Sequence, residues 1–447
     1  MPKKSPQKSS STSSSSSASG CENVIILDNG AGRIKYGMAS ANNDGGPKGS
    51  MINSLAKINK QMSLLVGDQV EEVHNGSLLH YTRPFERGYL TNMAVEVEVW
   101  DRLFSKVMKL PYDGDQKFGD KRLVVTDAPF APLPLQNDMN ELAFEYYGFD
   151  QYLRRPAPWF SAYEHEQEVL HGVREAKYPS CCTVIDSGFS FTHIMPFIQG
   201  KCVKSAVKRV NVGGKLLTNY LKEIVSYRQW NMMDEFKLMD QVKEELCYVS
   251  SNFARDLKDA RSGKERRGED KEPTKDYRGA KLRKNFALPD FSEIMKGYVK
   301  EDDDEVQAGE QILGLDTERF SVPEVLFHPS DVGMPQAGIA EATWQSLQEM
   351  NQVEMGLTSS NLVLTGGNMS LPQIEARYNQ EVRKYIPDVF EVDTYCPENP
   401  TDYAWKGAAR FVYDCAARGT LNEQMISRAD YLERGHDYVN EKFFRGW

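Results

Sequence analysis

Short apolar runs of strand length that end at an acidic residue occur twice in this chain. Val24–Leu27 leads into Asp28, and Cys182–Ile185 leads into Asp186. In both places a glycine follows within two residues, and a second strand-like run begins soon afterwards, as Ile34–Met38 does after the first turn. Apolar runs of this length next to turn residues are typical of buried strands. The pattern predicts two similar β-hairpins, one in each half of the chain.

Elsewhere along the chain, apolar positions follow strand-like and helix-like spacing in turn. Leu123–Thr126 is predicted to be a buried strand, whereas Ala94–Met108 carries apolar residues at helical spacing. Two further strands end in paired glycines that precede a predicted helix, at Gly213-Gly214 and at Gly366-Gly367. We also expect one continuous helix over residues 239–257. Strands that alternate with helices predict an α/β fold.

Composition and charge indicate how many domains to expect and argue against several functional classes. A chain of 447 residues exceeds one ordinary core, so two or three domains are expected. The formal charge of −10 argues against wholesale nucleic-acid binding, because such contacts need a basic surface. Seven cysteines without a CxxC pair indicate reduced thiols rather than disulfides or a zinc site. No apolar run approaches the ~20 residues of a membrane helix, so no membrane association is expected.

Two polar segments depart from the alternating pattern. Residues 1–22 are rich in serine and lysine, and we expect a disordered tail because they offer little apolar surface to bury. Residues 258–284 hold eleven basic and six acidic residues, and an acidic block follows at 301–305. We interpret these two charged runs, which belong to a charged insertion around residues 258–310, as solvated loops, with a patch that faces DNA or histones as the alternative.

The two acid–glycine turns are candidates for a phosphate and metal site. Glycines let successive backbone N–H groups converge on an anion, and Lys35 offers a positive charge to a phosphate. Asp28 and Asp186 offer carboxylate oxygens to a hydrated Mg²⁺. For either turn alone, a plain hairpin turn is the alternative. Two such turns that face each other predict a site that holds a polyphosphate and one metal from both sides, which favours nucleotide binding.

The order of these units resembles that of the actin family. Further stretches that look like actin landmarks follow in the right order: Val66-Gly67-Asp68, Pro84–Gly88, Leu288-Pro289-Asp290, Glu318-Arg319-Phe320 and Pro323–Phe327. The resemblance covers residues from about 23 to 413 and implies an actin-like α/β fold, a duplicated ribonuclease H-like architecture with two lobes around a central nucleotide cleft. It implies a first lobe of residues 23–175 plus 404–447 and a second lobe of residues 176–403.

The resemblance also implies which residues line the cleft. The residues that match the family's nucleotide site are Asp28, Gly30, Gly32, Lys35, Asp186, Ser187, Gly188, Gly214, Lys243, Glu244, Gly366 and Gly367. ATP or ADP with Mg²⁺ is the implied ligand, and Asp28 and Asp186 are the implied metal residues, acting through water. An empty pocket is the alternative.

Several positions depart from the family's pattern. Ala31 stands where actin has a serine that bonds the terminal phosphate, and Phe189 stands where actin has a second acid. Leu371 replaces an aromatic residue beside the adenine, and the lysine expected near Thr401 is absent. Gln167 is the candidate for the residue that orients attacking water. Because phosphoryl transfer depends on positioning and on charge stabilisation, these losses predict little or no ATP turnover.

Within the family, three stretches resemble nuclear actin-related subunits of chromatin remodellers: Asp186–His193, Asn211–Asn219 and Ser226–Gln229. The resemblance implies a non-catalytic subunit of a complex that exchanges a variant histone into nucleosomes, located in the nucleus and secondarily in the cytoplasm. The implied partners are the motor ATPase of the complex, a zinc-finger subunit and the nucleosome with its histones, and DNA contact is a further alternative. An actin-fold ATPase or phosphotransferase with genuine turnover is the alternative function. A filament is not expected, because a filament needs a repeated self-complementary interface.

Overall fold

The computed structural model describes residues 21, 23–40, 46–58, 64–111, 117–267, 282–301 and 309–447, except for the side chains of residues 262–267. The predicted disordered tail, apart from Cys21, lies outside the described residues. So do residues 268–281 and 302–308 of the charged insertion.

The strands of the described chain are numbered in chain order. They are β1 (Val24–Asn29), β2 (Arg33–Met38), β3 (Gly49–Ile52), β4 (Leu55–Ile58), β5 (Leu64–Val66), β6 (Leu79–Thr82), β7 (Phe85–Glu86), β8 (Tyr89–Leu90), β9 (Arg122–Asp127), β10 (Gln151–Pro156), β11 (Cys181–Ser187), β12 (Thr192–Ile198), β13 (Lys201–Cys202), β14 (Lys208–Val210), β15 (Lys284–Ala287), β16 (Tyr298–Lys300), β17 (Ile312–Leu315), β18 (Leu362–Thr365), β19 (Thr394–Tyr395) and β20 (Ile426–Ser427).

The α-helices are numbered in the same way. They are α1 (Asp68–Glu72), α2 (Met93–Arg102), α3 (Leu133–Glu141), α4 (Ala157–Leu170), α5 (Gly214–Arg228), α6 (Phe236–Leu246), α7 (Phe253–Arg267), α8 (Glu318–Glu324), α9 (Ile339–Leu347), α10 (Gln352–Ser359), α11 (Ile374–Val382), α12 (Tyr403–Ala417), α13 (Leu421–Gln424) and α14 (Arg428–Arg445). Single π-helical turns at Leu103–Val107 and Leu142–Tyr146 extend α2 and α3. Short 3₁₀ turns lie at Gly76–Leu78, Lys204–Ala206, Pro329–Val332 and Gly367–Ser370.

Two mixed sheets repeat one arrangement of strands. The first sheet has the order β20-β10-β9-β1-β2-β3, in which β1 pairs antiparallel with β2 and parallel with β9. The second has the order β13-β12-β11-β18-β19, in which β11 pairs antiparallel with β12 and parallel with β18. The strands β11, β12, β18 and β19 therefore repeat β1, β2, β9 and β10. This duplication confirms the predicted α/β actin-like fold.

The apolar runs form strands because each lies inside a covered sheet. All six residues of β1 are buried, as expected for a strand with neighbours on both sides and helices on its faces. One hydrophobic core surrounds the first sheet, and a second lies between the second sheet, α5, α6 and the helices that follow. The division into lobes at residues 175 and 404 stays a prediction.

The helices α4 and α12 cross where the two sheets meet. Helix α4 packs on β10 of the first sheet and on β11 of the second, and α12 packs on α4 and β1. At the crossing, a methyl group on Gly407 would overlap the carbonyl oxygen of Phe160. Arg410 of α12 pairs with the buried carboxylate of Glu164 of α4 at 2.8 Å. Close backbone contact and this ion pair make the crossing a rigid junction between the sheets.

Two expectations about secondary structure were wrong. The helix predicted over residues 239–257 is broken, because α6 ends at Leu246 and α7 begins at Phe253. Between them the Tyr248 N–H donates to the Arg319 carbonyl at 3.0 Å, and the Val249 N–H donates to the Pro372 carbonyl at 3.0 Å. Contacts distant in sequence thus override local helix propensity. Helix α7 also extends through residues 258–267, which were expected to be a solvated loop.

Among the described residues, no helix has both the length and the apolar character needed to cross a bilayer. The sheet order and the helix junction bring the carboxyl ends of β1 and β11 to one cleft, which contains the candidate site.

Candidate nucleotide cleft

Asp28 and Lys35 form the charged part of the first turn. They are direct cross-strand partners in the β1–β2 pair, which places the Lys35 ammonium 2.7 Å from Asp28 Oδ2. The Thr126 hydroxyl at the end of β9 donates to Asp28 Oδ1 at 2.8 Å. Both oxygens of Asp28 therefore have partners within the protein.

Asp186, the equivalent acid at the end of β11, lies close enough to Asp28 and Lys35 to interact with both charges. Burial and the negative charge of Asp28 raise the pKa of Asp186 to about 6. Burial lowers the pKa of Lys35, but the charge of Asp28 and their hydrogen bond outweigh burial and raise it overall. Asp28 and Asp186, the two predicted metal residues, are therefore neighbours. The Lys35 ammonium is the positive charge that offsets their carboxylates. No group of three or more His, Cys, Asp or Glu side chains in the described part of the chain is arranged to hold a metal.

The second turn is tied to the strand–glycine unit after β18. Asn368 Nδ2 donates to Ser187 Oγ at 3.0 Å and to the Gly188 carbonyl at 2.9 Å. Gly366 has φ of 91°, and a side chain there would overlap the Ser187 carbonyl oxygen. Only glycine allows this approach with positive φ. In contrast, a methyl group on Gly367 would meet nothing within 4 Å, so Gly367 borders open space.

Gly214 and Lys243 lie on the same side of the cleft as this second turn. The Gly214 N–H at the start of α5 donates to the Gly188 carbonyl at 3.0 Å. The Lys243 ammonium is 2.5 Å from Asp240 Oδ1 and 2.8 Å from the Thr218 hydroxyl. Lys243 is buried, whereas its neighbour Glu244 is exposed. The structure thus places these residues close together. The Lys243 ammonium and the Gly214 N–H already form hydrogen bonds within the protein.

The segments Gly30–Gly32 and Gly188–Phe191 are called loop 1 and loop 2. The Phe189 ring of loop 2 packs on loop 1, where a methyl group on Gly32 would come within 2.9 Å of its Cγ. The N–H groups of a glycine loop form an anion-binding concavity only where that face is open to a ligand. Because the Phe189 ring lies directly against Gly32, a polyphosphate that contacts loop 1 at this residue would have to displace the ring.

Sequence reasoning missed several residues of the cleft, and the role suggested for Gln167 stays a prediction. Gln167 lies ten residues after the start of α4, about 15 Å along the helix from the end that meets the strand edge. The partners Thr126, Asn368 and Asp240 were not predicted, although the three-residue spacing of Asp240 and Lys243 on a helix is a signal for a pair.

Glu96 of α2 is a further missed residue, and it lies under loop 1. It is fully buried, and its Oε1 accepts a hydrogen bond from Asn29 Nδ2 at 2.6 Å. Asn53 Nδ2 in turn donates to the Gly30 carbonyl at 3.2 Å. Burial raises the pKa of Glu96 to about 7. A cluster of buried amides and one carboxyl group therefore supports loop 1 from below.

Comparison with known proteins agrees with this architecture. The family model "Actin" matches residues 20–444, so the chain belongs to the actin family. Its relatives include actin-related protein 6 of Drosophila melanogaster, which is 33% identical over 94% of this chain and 99% of its own length. Actin-related protein 6 of Neurospora crassa is 34% identical over 95% of this chain and 94% of its own length. Actin-related protein 6 of Arabidopsis thaliana is 30% identical over 94% of this chain and 99% of its own length.

The predicted resemblance to the actin family is therefore confirmed. The actin fold typically binds a nucleotide with Mg²⁺, and this chain places the corresponding acids, glycines and lysine in one cleft. That these residues bind a ligand stays a prediction.

Proposed function

We propose that this protein is a non-catalytic actin-related subunit of a nuclear chromatin-remodelling complex that exchanges a variant histone. Its similarity to actin-related protein 6 over nearly the whole length of both chains supports this proposal. In this role the chain binds other subunits as a rigid body, and its cleft performs no ATP turnover.

The observation that carries the non-catalytic part is the contact of Phe189 with Gly32. Phosphoryl transfer relies on donors and metal ions that surround the terminal phosphate. Here an aromatic ring lies on loop 1, Ala31 has no hydroxyl group, and the Asp28 carboxylate is already bound to Lys35 and Thr126. In this arrangement the Phe189 ring occupies the space beside Gly32, and both Asp28 oxygens are engaged by protein groups.

Nucleotide content and hydrolysis test this part together. Purified full-length protein is denatured, the released nucleotide is identified, and phosphate release from MgATP is followed in a separate sample. We expect no stoichiometric nucleotide and no hydrolysis above that of the Asp186→Ala variant. Hydrolysis by the wild type that Asp186→Ala abolishes would contradict a non-catalytic role.

The proposed partners are the motor ATPase of the complex, a zinc-finger subunit and the nucleosome with its histones. Co-expression of a tagged chain with the motor ATPase tests the first of them. We expect a stoichiometric complex that survives gel filtration without added nucleotide. A chain that elutes alone, while remaining folded by circular dichroism, would contradict the proposal.

An actin-fold ATPase or phosphotransferase is the second candidate. The observation in its favour is that Asp28, Lys35 and Asp186 do converge in the cleft. It requires Phe189 to leave loop 1 when nucleotide enters, and the hydrolysis measurement above separates the two candidates. Polymerisation is not expected, and light scattering with MgATP checks this directly.

A further inference from the structure

Three contacts join residues 71–90 of the predicted first lobe to residues 189–237 of the predicted second lobe. In the first contact, the Lys237 ammonium of α6 donates to the carbonyl oxygens of Glu71 at 2.7 Å and Val73 at 2.9 Å. These carbonyls lie at the end of α1, where the last turn of a helix leaves acceptors unsatisfied and favours a cation. The half-buried Lys237 side chain of the predicted second lobe thus caps the C-terminal end of α1 in the predicted first lobe.

The second contact lies deeper and is aromatic. The Arg83 guanidinium, which follows β6 in the first lobe, lies 4.6 Å from the ring centre of Phe189 and 5.6 Å from that of Phe236. Both rings belong to the second lobe. A guanidinium over aromatic faces is attracted by their electron density, more strongly where water is excluded. Burial lowers the pKa of Arg83, in keeping with a largely desolvated cation.

The third contact uses Phe191, the other aromatic residue of loop 2. Its ring lies against Gly88 in the turn between β7 and β8, where a methyl group would come within 2.5 Å of Phe191 Cδ2. Arg209 of β14 lies 4.3 Å from the Phe191 ring centre and donates to the Tyr89 hydroxyl at 3.2 Å. The hairpin of the first lobe is therefore held between loop 2 and β14 of the second.

We propose that these three contacts are an intramolecular clamp that keeps the two lobes closed with no ligand between them. They join the lobes at separate points, so a hinge motion about the α4–α12 junction has to break all three. Opening would also expose Phe189 and Phe191 to water, which costs free energy in proportion to their apolar area. The charged and aromatic side chains of this chain supply the attraction between the lobes, and a nucleotide is not needed for it.

This clamp stands apart from membership of a remodelling complex, and hydrogen exchange of the isolated full-length protein tests it. The readout is the exchange rate of peptides that cover residues 85–90 and 187–191, measured with and without MgATP. For the wild type we expect slow exchange in both segments without nucleotide, and no further slowing when MgATP is added.

The decisive variant is the double substitution Lys237→Met and Phe191→Ala, which removes the cap and the ring but keeps the lysine's aliphatic stem. We expect exchange in both segments to rise about tenfold or more, because local opening is governed by such contacts. The matched control is Lys177→Met, which removes an exposed ion pair with Glu391 inside the second lobe and is expected to change neither segment. Unchanged exchange in the central strands β9 and β18 shows that the variant is folded.

Two results would overturn the clamp. One is fast exchange of both segments in the wild type that slows only with MgATP, since closure would then depend on the ligand. The other is a double variant that exchanges no faster than Lys177→Met. If the double variant fails to fold, Lys237→Met alone is measured, because Lys237 is half-buried and its loss leaves the aromatic contacts in place.

Discussion

Loop 1 and loop 2 follow equivalent strands in the two sheets, but they are stabilised by different interactions. Loop 1 is held by charge and amides: Lys35 pairs with Asp28 at its base, and Glu96 bonds Asn29 from below. Loop 2 carries two aromatic side chains: Phe189 packs on Gly32 of loop 1, and Phe191 packs on Gly88 between β7 and β8. Two equivalent hairpins are therefore stabilised differently: the first by charged and polar side chains, and the second by aromatic packing.

The difference shows that a duplicated fold can keep one strand order while its two loops make different contacts. Loop 2 contacts the opposite loop through Phe189, while the strands beneath both loops still pair. The strand order of both sheets is intact, so the loops differ without disturbing the core. Substitutions in loop 1 should act through electrostatics, and substitutions in loop 2 should act through packing.

The largest effect is expected at the base of loop 1. Replacing Lys35 by Met leaves the carboxylates of Asp28 and Asp186 close together without their cation. Because the Lys35 and Asp28 side chains are only 14% and 9% exposed, we expect a loss of about 3 to 5 kcal/mol in the free energy of unfolding. Urea denaturation measures it.

The double variant Asp28→Asn with Lys35→Met is the control for that experiment. It removes both charges of the pair, so much of the lost stability should return. Equal losses in the single and double variants would show that loop 1 does not depend on the pairing of these charges.

Next in size is the Phe189→Ala substitution in loop 2. It removes the ring that packs on Gly32 and beneath Arg83, and we expect a loss of about 2 to 3 kcal/mol because the residue is only partly buried. The control is Tyr227→Ala in the same lobe, where the side chain is 90% exposed and little change is expected. Similar urea midpoints for both variants would contradict a packing role for Phe189.

A pH dependence of stability should reveal the carboxyl group of Glu96 beneath loop 1. The pKa of buried Glu96 is raised to about 7 in the folded protein, so the folded state binds a proton more tightly than the unfolded state. Its contribution to stability is therefore present at low pH and is lost as pH rises through about 7. Between about pH 5 and pH 8 this should cost about 2 kcal/mol.

The Glu96→Gln variant checks the origin of that dependence. Glutamine keeps the shape and the acceptor for Asn29 but does not ionise, so its stability should vary less between the two pH values than that of the wild type. Parallel pH profiles of thermal unfolding for both proteins would rule out Glu96 as the source.

The smallest loss of stability is expected at the exposed hydrogen bond between Arg209 and Tyr89. Tyr89→Phe removes the hydroxyl group that accepts a hydrogen bond from the exposed Arg209, and a loss of about 0.5 kcal/mol is expected. The stacking of Arg209 on Phe191 stays in this variant. Urea denaturation measures the loss. A value several times larger would show that this hydrogen bond contributes more to stability than its exposure suggests.

The sequence predicted the strands and the α/β class because those signals are local, whereas the actin-like architecture was implied by the family resemblance. Each apolar run ending at Asp28 or Asp186 is contiguous, and strand pairing places both acids at the carboxyl edges of their sheets. The predicted helix over residues 239–257 failed because its break depends on hydrogen bonds to Arg319 and Pro372, which local spacing does not reveal.

The candidate site was predictable only in part, for the same reason. Acids, glycines and lysines carry recognisable chemistry, so these residues were found. Thr126, which is 98 residues from its partner Asp28, has no such signal, and neither has buried Glu96. The position of the Phe189 ring on Gly32 depends on how the two lobes meet, which sequence spacing does not encode.

The close contact of Gly407 with Phe160 has a consequence behind the cleft. With no side chain at this crossing, the backbones of α4 and α12 meet directly and set the spacing of the two helices. Even one added carbon atom at residue 407 would act as a wedge and push α12 away from α4. Because α4 packs on β10 and on β11, the relative orientation of the two sheets is determined partly by the absence of a side chain at residue 407.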